Sequence, residues 1–198
     1  MATTVLNPDG LATTINGWNT SFSTTPSHLS QNDTSNEWRT NFNSTGKAIF
    51  TLDDFDFSGL NVDSITSIKH QLICGLDARG GTAPITISIR DLSSGGAGTS
   101  LYSETHLNAA GAGFQTFTGT TRTTSDGSSA WTDSDLDDLG LFLTCTGGSF
   151  NVHKVQQLYI EVVYVEAGYG NDVNGVASAD IGEVNGIATA NIAEINGL

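Results

Sequence analysis

An all-β, jelly-roll-like antiparallel β-sandwich over residues 1–166, followed by an irregular, repetitive C-terminal arm over 167–198, is predicted by three observations. Several segments alternate apolar and polar residues with a period of two, the mark of a half-buried strand. Between them lie clusters of Gly, Ser, Thr and Asn, which favour tight turns over long helices. The last thirty residues carry an internal repeat of eleven and no comparable alternation.

Residues 1–45 are polar and turn-rich, with Asn7-Pro8-Asp9-Gly10 and Asn16-Gly17 as turn signals. Trp18 and Trp38 are the large apolar groups available to anchor this stretch, which is expected to lay short strands and long loops over the sandwich. Lys47–Leu52 reads as a strand, with Asp53–Gly59 as the connection after it. Ile65–Cys74 follows, with Ile68, His70, Leu72 and Cys74 on its inner face. In Pro84–Arg90, Ile85, Ile87 and Ile89 face one way and Thr86, Ser88 and Arg90 the other. A loop at Ser93–Thr99 leads to shorter strands at Ser100–Glu104 and Phe114–Thr121, then a second loop at Thr123–Ser129. Trp131–Leu136 has Thr132 as N-cap and carboxylates in the next turn, which predicts a short helical turn. Leu139–Thr146 and Lys154–Val165 complete the set, with Leu141, Leu143, Cys145, Leu158, Ile160, Val162 and Tyr164 inward. About seven short strands separated by turns is the pattern of a sandwich.

The 198 residues suffice for one such domain plus a tail. Acidic residues outnumber basic ones 21 to 7, giving a formal charge of -14, which repels phosphate backbones and anionic lipid and makes nucleic acid and membrane poor candidate partners. The first residues lack a basic segment and apolar run, and no stretch reaches the roughly 18 apolar residues of a membrane span. Synthesis in a cytoplasm without membrane insertion is the expectation, and the three Asn-x-Ser/Thr sites, at Asn19, Asn32 and Asn43, then read as loop chemistry. Cys74 and Cys145 each end an alternating run and point inward. Two free thiols are favoured over a disulfide, and both remain open.

The arm begins where the composition shifts, at Gly168-Tyr169-Gly170. Val173-Asn174-Gly175-Val176 recurs as Val184-Asn185-Gly186-Ile187 and as Ile195-Asn196-Gly197-Leu198, and the intervening residues also match. An eleven-residue period suits a right-handed coiled coil, but Asn-Gly in every repeat argues against a continuous helix. The sequence instead predicts single helical turns capped by Ser178 and Thr189 and ended by Gly186 and Gly197. Such turns are too short to stand alone, and so few repeats do not make a solenoid. Val173, Val176, Ile181, Val184, Ile187, Ile192, Ile195 and Leu198 are therefore read as an assembly interface with other chains. A homotrimer is expected, because three parallel copies can bury these side chains around one axis.

No Gly-x-Ser-x-Gly, phosphate-binding glycine loop or Cys-x-x-Cys is present, and no catalytic, cofactor or metal residue is predicted. His28, His70, His106 and His153 are scattered without ligand spacing, and His70 reads as a hydrogen-bonded core histidine. The acidic groups Asp53, Asp54, Asp56 and Asp133, Asp135, Asp137, Asp138 lack the pattern of a calcium loop and are assigned to turns and a helix start. Trp18, Trp38, Trp131, Tyr102 and Tyr169 are candidates for stacking on sugar rings, with core packing the simpler role.

One ordered set of motifs remains: Asn7-Pro8-Asp9-Gly10 then Gly17-Trp18, Thr51-Leu52-Asp53-Asp54-Phe55, Trp131-Thr132-Asp133-Ser134-Asp135-Leu136, and the closing Val155–Val162 run. In this order they resemble β-sandwich virion proteins of tailed bacteriophages of marine and environmental type, over about residues 5–165. The Asn-Gly repeats resemble tails of phage structural proteins. The resemblance implies a structural role on the particle, as a capsid decoration, head fibre or tail-associated protein with capsid or tail proteins as partners, and brings no catalytic residues. A carbohydrate-binding module recognising host surface glycans is the alternative.

Overall fold

The computed structural model describes residues 1–12, 17–18, 25–31, 35–41, 44–54, 62–77, 81–147 and 151–166, and the backbone of 183–184 and 187–188. Two antiparallel sheets pack face to face as a β-sandwich. The elements of the first sheet are β1 (Ala2–Leu6), β3 (Trp38–Arg39), β5 (Val62–Asp77), β8 (Phe114–Thr118) and β10 (Val152–Glu166). Its order is β1-β10-β5-β8, with β3 also paired to β10. The second sheet runs β2-β4-β9-β6-β7, from β2 (Pro8–Leu11), β4 (Gly46–Leu52), β6 (Thr82–Asp91), β7 (Thr99–Ala109) and β9 (Leu139–Cys145). A single α-helical turn, α1 (Asp133–Asp137), precedes β9. Among the described residues no helix is long and apolar enough to cross a membrane.

The alternation carries through to the core. Ile68, Leu72 and Cys74 of β5 meet Ile85, Ile87 and Ile89 of β6, Leu141, Leu143 and Cys145 of β9, and Leu158, Ile160 and Val162 of β10 in one cluster. Both cysteines are free and buried, and burial pushes the Cys74 thiol up to about 12. At one side Trp18, Trp38 and Phe50 pack edge-on at 5.3 and 5.2 Å, and the indoles donate to Lys47 O and Thr25 O, both at 3.1 Å. The two tryptophans thus anchor the N-terminal stretch, as the sequence predicts.

That stretch is otherwise better integrated than expected. Instead of lying over the sandwich, it supplies strands to both sheets. Asn7-Pro8-Asp9-Gly10 is no simple turn: β1 ends at Leu6, the chain crosses between sheets at Asn7, and β2 starts at Pro8. Asp53 pins the crossing, accepting from the Asn7 amide and side chain while its own N–H donates to Asn7 O at 2.8 Å. Proline suits the first residue of an edge strand, where no donor is needed. Thr132 accepts from Asp135 N at 3.2 Å and Asp135 accepts from Thr132 N at 2.8 Å, the reciprocal cap that starts α1.

In the arm, β11 (Glu183–Val184) and β12 (Ile187–Ala188) pair with each other and, among the described residues, with no other strand. The predicted helical turn ending at Gly186 is therefore corrected to a hairpin. Val184 pairs with Ile187, leaving Asn185-Gly186 as the connection, and Asn-Gly is the dipeptide favoured in two-residue hairpin loops. Of the predicted interface, Val173, Val176, Ile181, Ile192, Ile195 and Leu198 lie outside the described residues, as does Tyr169.

Candidate functional site

The outer face of the first sheet is built by the polar half of the strand alternation. Register places Gln157, Tyr159 and Glu161 of β10 beside Ile73, Gln71 and Lys69 of β5. Gln71, Ile73 and Gly75 in turn lie beside Thr118, Thr116 and Phe114 of β8. A line of polar contacts crosses it: Lys69 Nζ to Glu161 at 2.6 Å, Gln71 Nε2 to Glu161 at 3.5 Å, and Thr118 Oγ1 to Gln71 Oε1 at 2.8 Å. At one end Lys154 pairs with Asp77 at 2.9 Å and lies 5.5 Å from the centre of the Phe114 ring. Phe114 is 42% exposed, an unusual state for a phenylalanine on a strand. Aromatic rings for stacking beside amides, hydroxyls and charges for hydrogen bonding are what a polyol surface requires.

Four of the aromatic residues singled out from the sequence, Trp18, Trp38, Trp131 and Tyr102, are elsewhere. Trp18, Trp38 and Trp131 are buried in the core. Tyr102 packs under the Arg122 guanidinium, 4.4 Å from its ring centre, and donates to Thr124 O at 2.5 Å. Phe114 and Tyr159 stand on outward positions of β8 and β10, whose sequences alternate. Reading the outward residues of those strands, as well as the inward ones, identifies both.

A cleft of about 530 Å³ opens beside α1, lined by Asp91, Asp126, Asp135 and Asp138 with Ser93 and Ser129 among their neighbours. Three of these carboxylates have local tasks. Asp91 accepts from Ser93 N, Asp135 caps α1, and Asp126 accepts from Ser128 N and Ser129 N at 2.8 and 2.6 Å. The last two bonds hold the Asp126 carboxyl far below its usual range. Turn and cap roles thus account for Asp135, while Asp53 holds the sheet crossing. Asp56 lies outside the described residues.

The histidines require a correction. His70 is buried on β5 as predicted, but it is not isolated from the others: its Nε2 lies 2.9 Å from His106 Nε2 on β7, across the sandwich. Glu104, two residues before His106 on the same face of β7, brings a carboxylate oxygen within 4.8 Å of a ring nitrogen of each histidine. The two histidines are 36 positions apart, so local ligand spacing could not have paired them. Phe117 stacks on the His106 ring at 5.0 Å. Glu104 accepts from Thr120 N at 3.0 Å and Arg122 Nη2 at 2.7 Å, bonds that keep its carboxyl low. Burial pushes His70 down to about 4 and lowers His106, so both rings are neutral at pH 7.

The chain matches no family model and no curated protein. Among solved structures it is similar to one described as "CBM4 structure and function", at 16% identity over 61% of this chain and 76% of that one, TM-score 0.35. A family 11 carbohydrate-binding module from Clostridium thermocellum, in complex with a β-1,3-1,4-mixed-linked tetrasaccharide, matches at 10% identity over 80% of this chain and 95% of its own, TM-score 0.37. The enzymatically active domain of bacteriophage CBA120 tailspike protein 4 matches at 8% identity over 82% of this chain but only 19% of its own, TM-score 0.42. These likenesses are faint, and the assignment of a β-sandwich rests on the two sheets themselves.

Proposed function

We propose that the chain is a non-catalytic structural component of a bacteriophage virion, a capsid-decoration, head-fibre or tail-associated surface protein that joins the particle through its C-terminal arm. One observation carries this reading: every strand of the two sheets lies between Ala2 and Glu166, whereas β11 and β12, the described strands beyond, pair only with each other. A body whose two sheets take no strand from the arm leaves the repeated Val, Ile and Leu residues of the arm to other chains. The motif order set out above supports the phage assignment. Capsid or tail proteins and two further copies of the chain are the partners. Each apolar side chain buried in such a trimer contributes about 1.5–3 kcal/mol at most, reduced by the entropy of ordering the arm.

Deleting residues 170–198 is expected to leave the sandwich folded while abolishing both oligomerisation and attachment to particles. Light scattering and a particle-binding assay on the truncated protein provide the test. An unchanged oligomer that still decorates particles would sink the proposal.

Recognition of host glycans is a second reading, favoured by the exposed Phe114 and the half-buried Tyr159 beside the Lys69–Glu161–Gln71–Thr118 line. A glycan array should then return a defined set of ligands whose binding is lost in a Phe114→Ala, Tyr159→Ala variant. An array without signal removes this reading and leaves the first intact.

A further inference from the structure

We propose that His70, His106 and Glu104 form a binding site for a borderline divalent transition-metal ion of the Zn²⁺ type, which ties β5 of one sheet to β7 of the other. The donors come from strands of different sheets. His70 projects from an inner strand of the first sheet, and Glu104 and His106 project side by side from the edge of the second. Two histidine nitrogens and a carboxylate oxygen form a recurrent Zn²⁺ donor set, with bonds of about 2.0–2.2 Å. Donors around one such ion stand roughly 3–3.5 Å apart. The 2.9 Å between the Nε2 atoms and the 4.8 Å limit for all three donors are within small side-chain rotations of that arrangement.

The surroundings orient the donors. A side-chain carbon at Gly119 would lie 2.3 Å from the His70 ring, so the glycine leaves room for that imidazole, while Gly119 N donates to His70 O at 2.9 Å. Phe117 fixes the plane of His106, and Thr120 N and Arg122 hold Glu104.

Arg122 also decides which ion fits. Its guanidinium already offsets the Glu104 charge, so an ion here draws its affinity from the two nitrogens. That disfavours Ca²⁺ and Mg²⁺, which need several oxygens, and favours Zn²⁺, Co²⁺ or Ni²⁺. Without the ion, the two imidazoles form a hydrogen bond between neutral rings, with one nitrogen donating.

Calorimetric titration of the full chain with Zn²⁺, and with Co²⁺ as an absorbing probe, is expected to show one saturable equivalent and a rise in Tm. His70→Gln and His106→Gln should each weaken binding on the order of tenfold or more, while His28→Gln leaves it unchanged. Because His70 is buried and its variant can unfold, ¹⁵N shifts of the histidine rings in the unmodified protein give a second reading. Zn²⁺ should move His70 and His106 and leave His153, whose Nε2 contacts Thr146 O, in place. Absence of saturable binding, equal binding by His106→Gln, or shifts confined to other histidines would each overturn the site.

Discussion

The interior of the sandwich is built in two ways. Beneath β4, β9 and β6 it is almost wholly apolar, with Phe50, Leu141, Leu143 and Ile87 each 1% exposed or less. Beneath β7, at the margin, Tyr102, Glu104, His106 and Asn108 replace aliphatic side chains on the inward positions. Apolar burial is non-directional and tolerates small errors of alignment. A buried polar group is stable only with partners at defined distances and angles. The apolar middle therefore holds the sheets together, while the polar margin sets how β7 sits over β5.

Four measurements test that contrast, starting with the largest effect. Ile87→Asp places an unpaired carboxylate in the apolar middle at a cost of several kcal/mol, comparable with the roughly 5–15 kcal/mol that stabilises a whole domain. No soluble folded protein is expected, and a normal circular dichroism spectrum would break the comparison at its root.

The margin should instead respond to acid. Burial pushes His70 below its ordinary 6.5 to about 4, so the unfolded chain takes up the proton first as pH falls. Stability is complete above about pH 6.5 and is lost toward pH 4, by up to about 3 kcal/mol from this residue. His106 and His153, also lowered by burial, act in the same direction. Urea midpoints measured with a chelator present should fall through this window, and His70→Gln should flatten the profile.

Gly119→Ala drives a methyl group into the His70 ring and is expected to cost about 1–3 kcal/mol, read as a fall in the urea midpoint. The smallest effect belongs to Asn108, which is fully buried with neither side-chain amide atom bonded among the described residues. Asn108→Leu should change stability by no more than about 1 kcal/mol. A larger loss in thermal denaturation would reveal a partner for the amide and a more exacting margin.

The same contrast governs what can be read from the chain in advance. Ile85, Ile87 and Ile89, or Leu158, Ile160 and Val162, announce their inward face by alternation alone, because an apolar core needs no particular partner. The Thr132 cap is equally local. By comparison, Asn7-Pro8-Asp9-Gly10 is rich in turn formers because it holds a sheet crossing and the start of an edge strand, and only Asp53, 46 positions away, tells that from a turn. The Asn-Gly of the arm reads as a helix end, yet the same dipeptide suits a hairpin connection, and the pairing of Val184 with Ile187 decides for the hairpin. His70 and His106 meet because β5 and β7 face each other across the layers, and periodicity does not report which strands face.

The pairing of Ala2 with Tyr164 has a mechanical consequence. The first residues of the chain and the end of β10 at Glu166 share one end of the first sheet, so a bulky fusion at Met1 would stand beside the point where the chain leaves β10. Tension applied through the arm along β10 meets β5, registered from Val152 to Glu166, on one side and β1 on the other. Such a pull loads these backbone bonds in shear, many at once rather than one after another. The sandwich is thereby built to stay whole under a tug that would unzip a hairpin from its end.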